Sequence, residues 1–191
     1  WYHMNKAKDQ KTWLDAMSLN AISSLNTIYA DADGQIAFIY NARMPKRDPS
    51  FDWSAYLPGD DPRALWQGIE PFTNVPKLVN PPSGLVFNAN HTPLAATGGA
   101  DELQLDDFPK SYGLETHFTN RGLRGIELWG GDPLISAQEF EAYKFDVGYH
   151  VQSRVVQFLE PILDMDFSDE PQLQEAQMIL KSWDRSAKRD S

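Results

Sequence analysis

Apolar and polar positions along this chain change period part-way, and the change organises it. Trp13, Leu14, Met17 and Leu19 lay an apolar stripe at helical spacing through about Asn20. Thr12 followed by Asp15 predicts that this helix starts at Thr12, with a weaker form of the capping box. The next runs read as strands. Ile28-Tyr29 leads into Asp31-Ala-Asp33-Gly34, and Gln35-Ile-Ala-Phe-Ile-Tyr40 follows. Asp-Gly between two β-rich runs predicts a hairpin. The second run is apolar at Ile36, Phe38 and Tyr40 and also at Ala37 and Ile39, so both of its faces must be covered. Residues 44–84 contain eight prolines and three glycines, too many for regular elements to persist. Phe51, Trp53, Tyr56, Trp66 and Phe72 make that stretch a packed, irregular segment rather than a linker. Leu85-Val-Phe87 reads as a short buried strand. Residues 94–117 read as a Gly/Ala/Asp-rich loop whose acidic tract, 101–107, is a solvated surface.

From Ser136 the period turns to 3.6. Ser136-Ala-Gln-Glu139 is a capping box. Phe140, Tyr143, Val147, Val151, Val155, Phe158 and Leu159 predict one amphipathic helix that Pro161 stops, weakened at Gly148 by roughly 1 kcal/mol. Leu173 to Trp183 form a last helix after Pro171, and a polar tail follows from Asp184. Strands first and helices afterwards predict an α+β fold, with residues 1–130 as its strand-rich part and 131–191 as a helical segment of the same chain.

Composition narrows the partners. Six Trp, ten Phe and seven Tyr in 191 residues argue for a packed core. A formal charge of −10 disfavours nucleic acid and anionic membrane surfaces, which would repel it. With no cysteine there is neither disulfide nor thiol chemistry, and no apolar run approaches the ~18 residues of a membrane span. His3, His91, His117 and His150 lack metal-ligand spacing. Asp31-Ala-Asp33-Gly34 lacks the third acidic position and the distal Glu of a calcium loop, so it reads as a turn.

The candidate chemistry lies in residues 80–93, "NPPSGLVFNANHTP", where an apolar run ends in two asparagines one residue apart. A turn accounts for one of them. A site that needs a carboxamide donor held on a rigid strand end accounts for both.

Several stretches, "YADADGQIAFI", "NARMPKRDPSFDWSAYLPGDD", "WQGIEPF", "VPKLVNPPSGLVFNANHTP" and "RGLRGIEL", together resemble the β-chain of the penicillin acylase family. That family also holds the acyl-homoserine-lactone acylases. Its members are N-terminal-nucleophile hydrolases, built as an αββα sandwich and matured by autocleavage. The resemblance runs from about residue 12 to about residue 128. It implies that the side-chain amide of Asn90 helps form an oxyanion hole and that Asn88 supports it. Arg124 best matches a family arginine near the nucleophile. Asp101 and the backbone carbonyl of Trp53 fall near the family's calcium ligands, so a structural calcium is implied. His91 departs from a second asparagine usual at its place. The family nucleophile is a Ser at the first residue of the β-chain, whereas Trp1 stands first here. The chain is therefore expected to be an internal piece that carries one wall of the site and not the reacting atom.

The resemblance further implies hydrolysis of the amide of an N-acylated small molecule, such as a penicillin or an acyl-homoserine lactone. The partners would be the α-chain and the rest of the β-chain, in the periplasm or outside the cell. In such enzymes the α-amine of the nucleophilic Ser, with a pKa near ~8, serves as base without a histidine. The competing reading is a non-catalytic module that binds carbohydrate or another ligand through exposed Trp53, Trp66 and Trp129.

Overall fold

The computed structural model describes residues 1–21, 23–41 and 43–189, the side chain of Asn41 excepted. The last two residues of the predicted polar tail lie outside that range. The chain divides into two compact units, Trp1–His117 and Phe118–Ser191.

The first unit is built on a three-stranded antiparallel sheet of order β1-β2-β3, with β1 at Leu25–Ala30, β2 at Ile36–Asn41 and β3 at Lys77–Val79. The predicted hairpin forms. Asp31 Oδ1 accepts the Asp33 and Gln35 N–H groups at 3.0 and 2.9 Å, and Gly34 takes the left-handed φ of +81° that closes the turn. The central strand is covered on both sides as its composition requires, since Ala37, Phe38 and Ile39 are each at most 1 % exposed. Ala37 and Ile39 pack with Trp13, Met17, Met44, Val75 and Leu114. Phe38, on the opposite face, packs with Leu78, Ala96, Val86 and Leu103. Asn80 clamps the start of β2: its Oδ1 accepts the Ile36 N–H at 2.9 Å, and its own N–H donates back to the Ile36 carbonyl at 2.9 Å. Gln10 Nε2 donates to that same carbonyl at 3.1 Å.

The helix that covers the Ala37–Ile39 face starts earlier than Thr12. A short helix α1, Tyr2–Lys6, precedes α2, Gln10–Met17. Asp9 is the N-cap of α2, and Thr12 is its third residue. Asp9 Oδ1 accepts the Thr12 N–H at 2.8 Å while Thr12 Oγ1 faces the Asp9 N–H, so the reciprocal box closes one step upstream of the expected one. Trp13 then stacks on Tyr29 with ring centroids 4.8 Å apart.

Residues 44–84, expected to be irregular throughout, hold one regular strand, β3, which pairs with β2; the rest is irregular, as the prolines dictate, and packed only in part. Tyr56 and Trp66 are exposed, whereas Trp53 donates its indole N–H to the Asp48 carbonyl at 2.7 Å and carries the Arg47 guanidinium over its ring. Leu85–Phe87 forms no strand, so the asparagines that follow it stand on a turn and not on a strand end. It faces an irregular loop, to which it is tied by the Phe87 N–H to Ala96 carbonyl bond of 2.9 Å.

In the second unit α3 spans Asn120–Trp129, α4 Ala137–Lys144, α5 Arg154–Leu163 and α6 Pro171–Ser182. The Ser136–Glu139 box caps α4 as expected. The single helix expected from Ser136 to Pro161 is instead two. Distant side chains hold the break between them. Asn120 Nδ2 donates to the Gly148 carbonyl at 2.8 Å and its Oδ1 accepts the His150 N–H at 2.9 Å, while Asp146 Oδ2 accepts the Gly148 N–H at 3.1 Å. Those bonds use the backbone groups a continuous helix would need. Ser153 then caps α5 afresh. Pro161 sits inside α5 rather than ending it, and the helix closes two residues later on a buried Gln177. The Gln177 amide donates to the Ile162, Leu163 and Met165 carbonyls at 3.0, 3.1 and 2.8 Å, satisfying acceptors that every helix end leaves open. The polar tail is not free: the Tyr149 N–H bonds the Arg185 carbonyl at 2.7 Å and the Ala187 N–H bonds that of Val147 at 2.9 Å.

Candidate functional site

The two asparagines form one turn. Asn88 is half-buried and its Oδ1 accepts the Asn90 N–H at 3.0 Å, the local bond by which asparagine imitates a backbone turn. Asn90 follows with φ of +53°, a left-handed conformation that Asn tolerates better than most residues, and is exposed at the apex. His91 locks the next step. It is 3 % exposed, and its Nδ1 accepts the Ala89 N–H at 3.1 Å. Its Nε2 therefore carries the proton and donates to the Ala95 carbonyl at 2.6 Å. The imidazole stacks on Phe87 at 4.9 Å. The imidazole braces the turn from inside, and Thr92 and Pro93 are buried behind it.

A residue not picked out from the sequence completes the arrangement. Asn26 Nδ2 donates to Asn88 Oδ1 at 3.0 Å. Asn26 lies opposite Tyr40 in the β1–β2 ladder, so it shares a sheet face with Tyr40 and Phe38, the face on which Val86 and Ala96 pack. The one available signal was a polar residue inside a β-rich run, which by itself says nothing of a partner 62 positions away.

The loop behind the turn is tied to residues 83–87. Ser83 Oγ and Thr97 Oγ1 are 2.6 Å apart, Thr97 Oγ1 donates to the Leu85 carbonyl at 2.6 Å, and Asp101 Oδ2 accepts the Ser83 N–H. The acidic tract is thus solvated only in its second half, because Asp101, Glu102 and Leu103 are half-buried. Burial pushes the Glu102 carboxyl up to about 7 against the pull of the Thr97 and Ala96 N–H groups, with the Asp101 charge adding to the rise. Its Oε2 is buried with no hydrogen-bond partner, as suits the protonated acid better than the anion.

Arg124, in the second unit, is one-fifth exposed. Its Nε and Nη2 bind the two oxygens of Asp146 at 2.8 and 2.7 Å, and Nη1 binds Glu127 Oε2 at 2.7 Å. Gly148 lies directly against the guanidinium: a Cβ there would come within 3.0 Å of Nε. The Arg124 bond holds Asp146 below the usual carboxylate range, and Asp146 in turn raises Arg124.

Among the described residues no three His, Asp or Glu side chains converge as a metal site. A calcium ion at Asp101 and the Trp53 carbonyl would take its remaining ligands from other groups. Of the tryptophans weighed as ligand contacts, Trp53 packs under Arg47 and Trp129 packs edge-on to Phe140 and Tyr143, while Trp66 is exposed. No helix among the described residues is long and apolar enough to cross a membrane.

The family model for penicillin amidase matches residues 1–191. Among curated proteins, penicillin G acylase of Escherichia coli is 33 % identical over 93 residues, covering 49 % of this chain and 11 % of that protein. Penicillin acylase 2 proenzyme of Pseudomonas sp. (strain SE83) is 26 % identical over 121 residues, covering 63 % of this chain and 14 % of that protein. The chain thus matches about a tenth to a seventh of the length of these relatives. Among solved structures, thermostable penicillin G acylase from Alcaligenes faecalis superimposes with a TM-score of 0.66 at 26 % identity, over 100 % of this chain and 32 % of that one.

Proposed function

This chain belongs to the penicillin amidase family, and on that premise we propose that it forms one wall of an amidohydrolase active site, with Asn90 as the oxyanion donor. The nucleophile in this reading is an N-terminal serine carried by another part of the protein. Its hydroxyl attacks the amide carbonyl of an N-acylated small molecule, and its own α-amine takes the proton. Negative charge then gathers on the carbonyl oxygen. A fixed carboxamide N–H aimed at that oxygen is worth about 3–4 kcal/mol, because it needs no reorganisation as the charge develops.

The observation that carries the reading is the Asn88–Asn90 turn, inside a family match that spans the whole chain. It supplies a carboxamide on a backbone fixed by Asn88 and His91. The substrate class follows the family, a penicillin or an acyl-homoserine lactone. The remaining parts of the same acylase complete the site in a periplasmic or extracellular setting. Asp101 and the Trp53 carbonyl are the groups this chain offers to a structural calcium. Arg124 is spent on Asp146 and Glu127, so its proposed part is to hold its own surroundings rather than to move a proton.

The test is Asn90→Ala in the complete acylase that contains this chain. The variant is expected to fold and to lose about 10²–10³-fold in kcat. Turnover near that of the parent enzyme would end the assignment. The 191-residue chain alone is expected to hydrolyse no amide, and hydrolysis by it would show that the nucleophile lies within it.

A further inference from the structure

We infer that Asn26 is a positioning residue for the oxyanion amide, acting through Asn88. The inference rests on the reading of Asn90 given above. Two donors meet at one oxygen. Asn88 Oδ1 receives the Asn26 carboxamide from one side and the Asn90 backbone N–H from the other, each at 3.0 Å. The second bond sets the left-handed conformation of Asn90, and that conformation sets where its side chain leaves the backbone.

Asn88 alone would be a poor anchor. A side chain in a segment without strand partners has several rotamers open to it, and only some bring Oδ1 over the Asn90 N–H. Asn26 removes that freedom. It stands on β1, whose ladder with β2 fixes its backbone, and β2 is the most deeply buried element of the first unit. The order of the core is thereby passed to the turn through two hydrogen bonds. Asn26 touches no reacting atom in this scheme. Its contribution is to keep the donor aimed before substrate arrives, which is where preorganised electrostatic stabilisation originates.

Hydrogen-bond direction makes the proposal specific. Asn26 gives and Asn88 receives. Asn26→Asp replaces the donor with a carboxylate oxygen facing another oxygen. The experiment is steady-state kinetics of the complete acylase on a chromogenic anilide. Its variants are Asn26→Asp, Asn88→Ala and Asn90→Ala, with Asn26→Asp and Asn88→Ala each repeated in the Asn90→Ala background. Asn26→Asp and Asn88→Ala are each expected to lower kcat about tenfold with KM unchanged, because the oxyanion donor is no longer held in aim and part of its contribution is lost. In the Asn90→Ala background neither Asn26→Asp nor Asn88→Ala should cost anything further, because the group they position is gone.

A parent-like kcat for both Asn26→Asp and Asn88→Ala, with Asn90→Ala impaired, overturns the positioning role and leaves the oxyanion role standing. An equal loss with and without Asn90 also overturns it, since that marks a general packing defect. A parent-like Asn90→Ala removes the oxyanion reading on which both rest.

Discussion

Removing the Asp146 carboxylate separates the structural from the chemical account of Arg124. Two hydrogen bonds of 2.8 and 2.7 Å join the two side chains, each 21 % exposed, and Asp146 also accepts the Gly148 N–H. A hydrogen bond to a charged group contributes about 1.5–3 kcal/mol. Partial exposure screens the pair, and Glu127, 2.7 Å from Nη1, keeps part of the guanidinium satisfied when Asp146 is lost. The coupling between Arg124 and Asp146 should then be about 2 kcal/mol, and Asp146→Ala alone should cost about 3 kcal/mol because it also orphans the Gly148 N–H. The assay is a double-mutant cycle of Arg124→Met and Asp146→Ala, read by urea unfolding of the chain at pH 7. The pH dependence has a definite sign. The folded state holds the Asp146 carboxyl below its ordinary value, so this stabilisation is full above about pH 4. It is lost as pH falls through the depressed folded value, and Asp146→Ala removes the dependence. A coupling below about 0.5 kcal/mol would refute the argument and return Arg124 to the solvent-screened class of ion pairs.

Two other perturbations follow from the first unit. Glu102 binds its proton more tightly folded than unfolded, so it contributes stability below about pH 4.3 that fades as pH rises towards 7. Glu102→Gln, which imitates the acid, should match the parent at pH 4.5 and exceed it by about 1 kcal/mol at pH 8, as thermal unfolding at the two pH values would report. Asp9→Ala should speed amide exchange at Thr12 roughly fivefold, since the bond to Asp9 Oδ1 is its protection; unchanged exchange would show that the box is not closed in solution.

What the sequence disclosed and what it hid divide along one line. The Asp33-Gly34 hairpin, the Ser136–Glu139 cap and the doubly covered strand at 36–40 are set by neighbours in sequence, and each was legible. The break between α4 and α5 was not, because Asn120 and Arg124 impose it from more than twenty residues away through contacts that no periodicity encodes. Leu85–Phe87 looks like a strand by composition, yet a strand needs a ladder partner and this segment meets a loop. Thr12 was mistaken for a cap because Asp9, three residues before it, is the better acceptor. At the candidate site Asn88 and Asn90 could be seen as a pair, one residue apart. Asn26 could not, since only the folded sheet brings it to them.

The clamp at Asn80 bears on how the sheet chooses its pairing. In a half-wet sheet, sliding one strand by a single residue throws its greasy side chains into water, and that penalty selects the alignment. The strand Ile36–Tyr40 is greasy on both sides, so a slip would bury much the same surface and the usual proofreading is absent. Alignment is left to polar fasteners at the strand's beginning: the Asp31–Gln35 corner, and the Asn80 and Gln10 amides that grip Ile36. Weakening those fasteners should therefore yield a mixture of alternative alignments before it yields an unfolded chain.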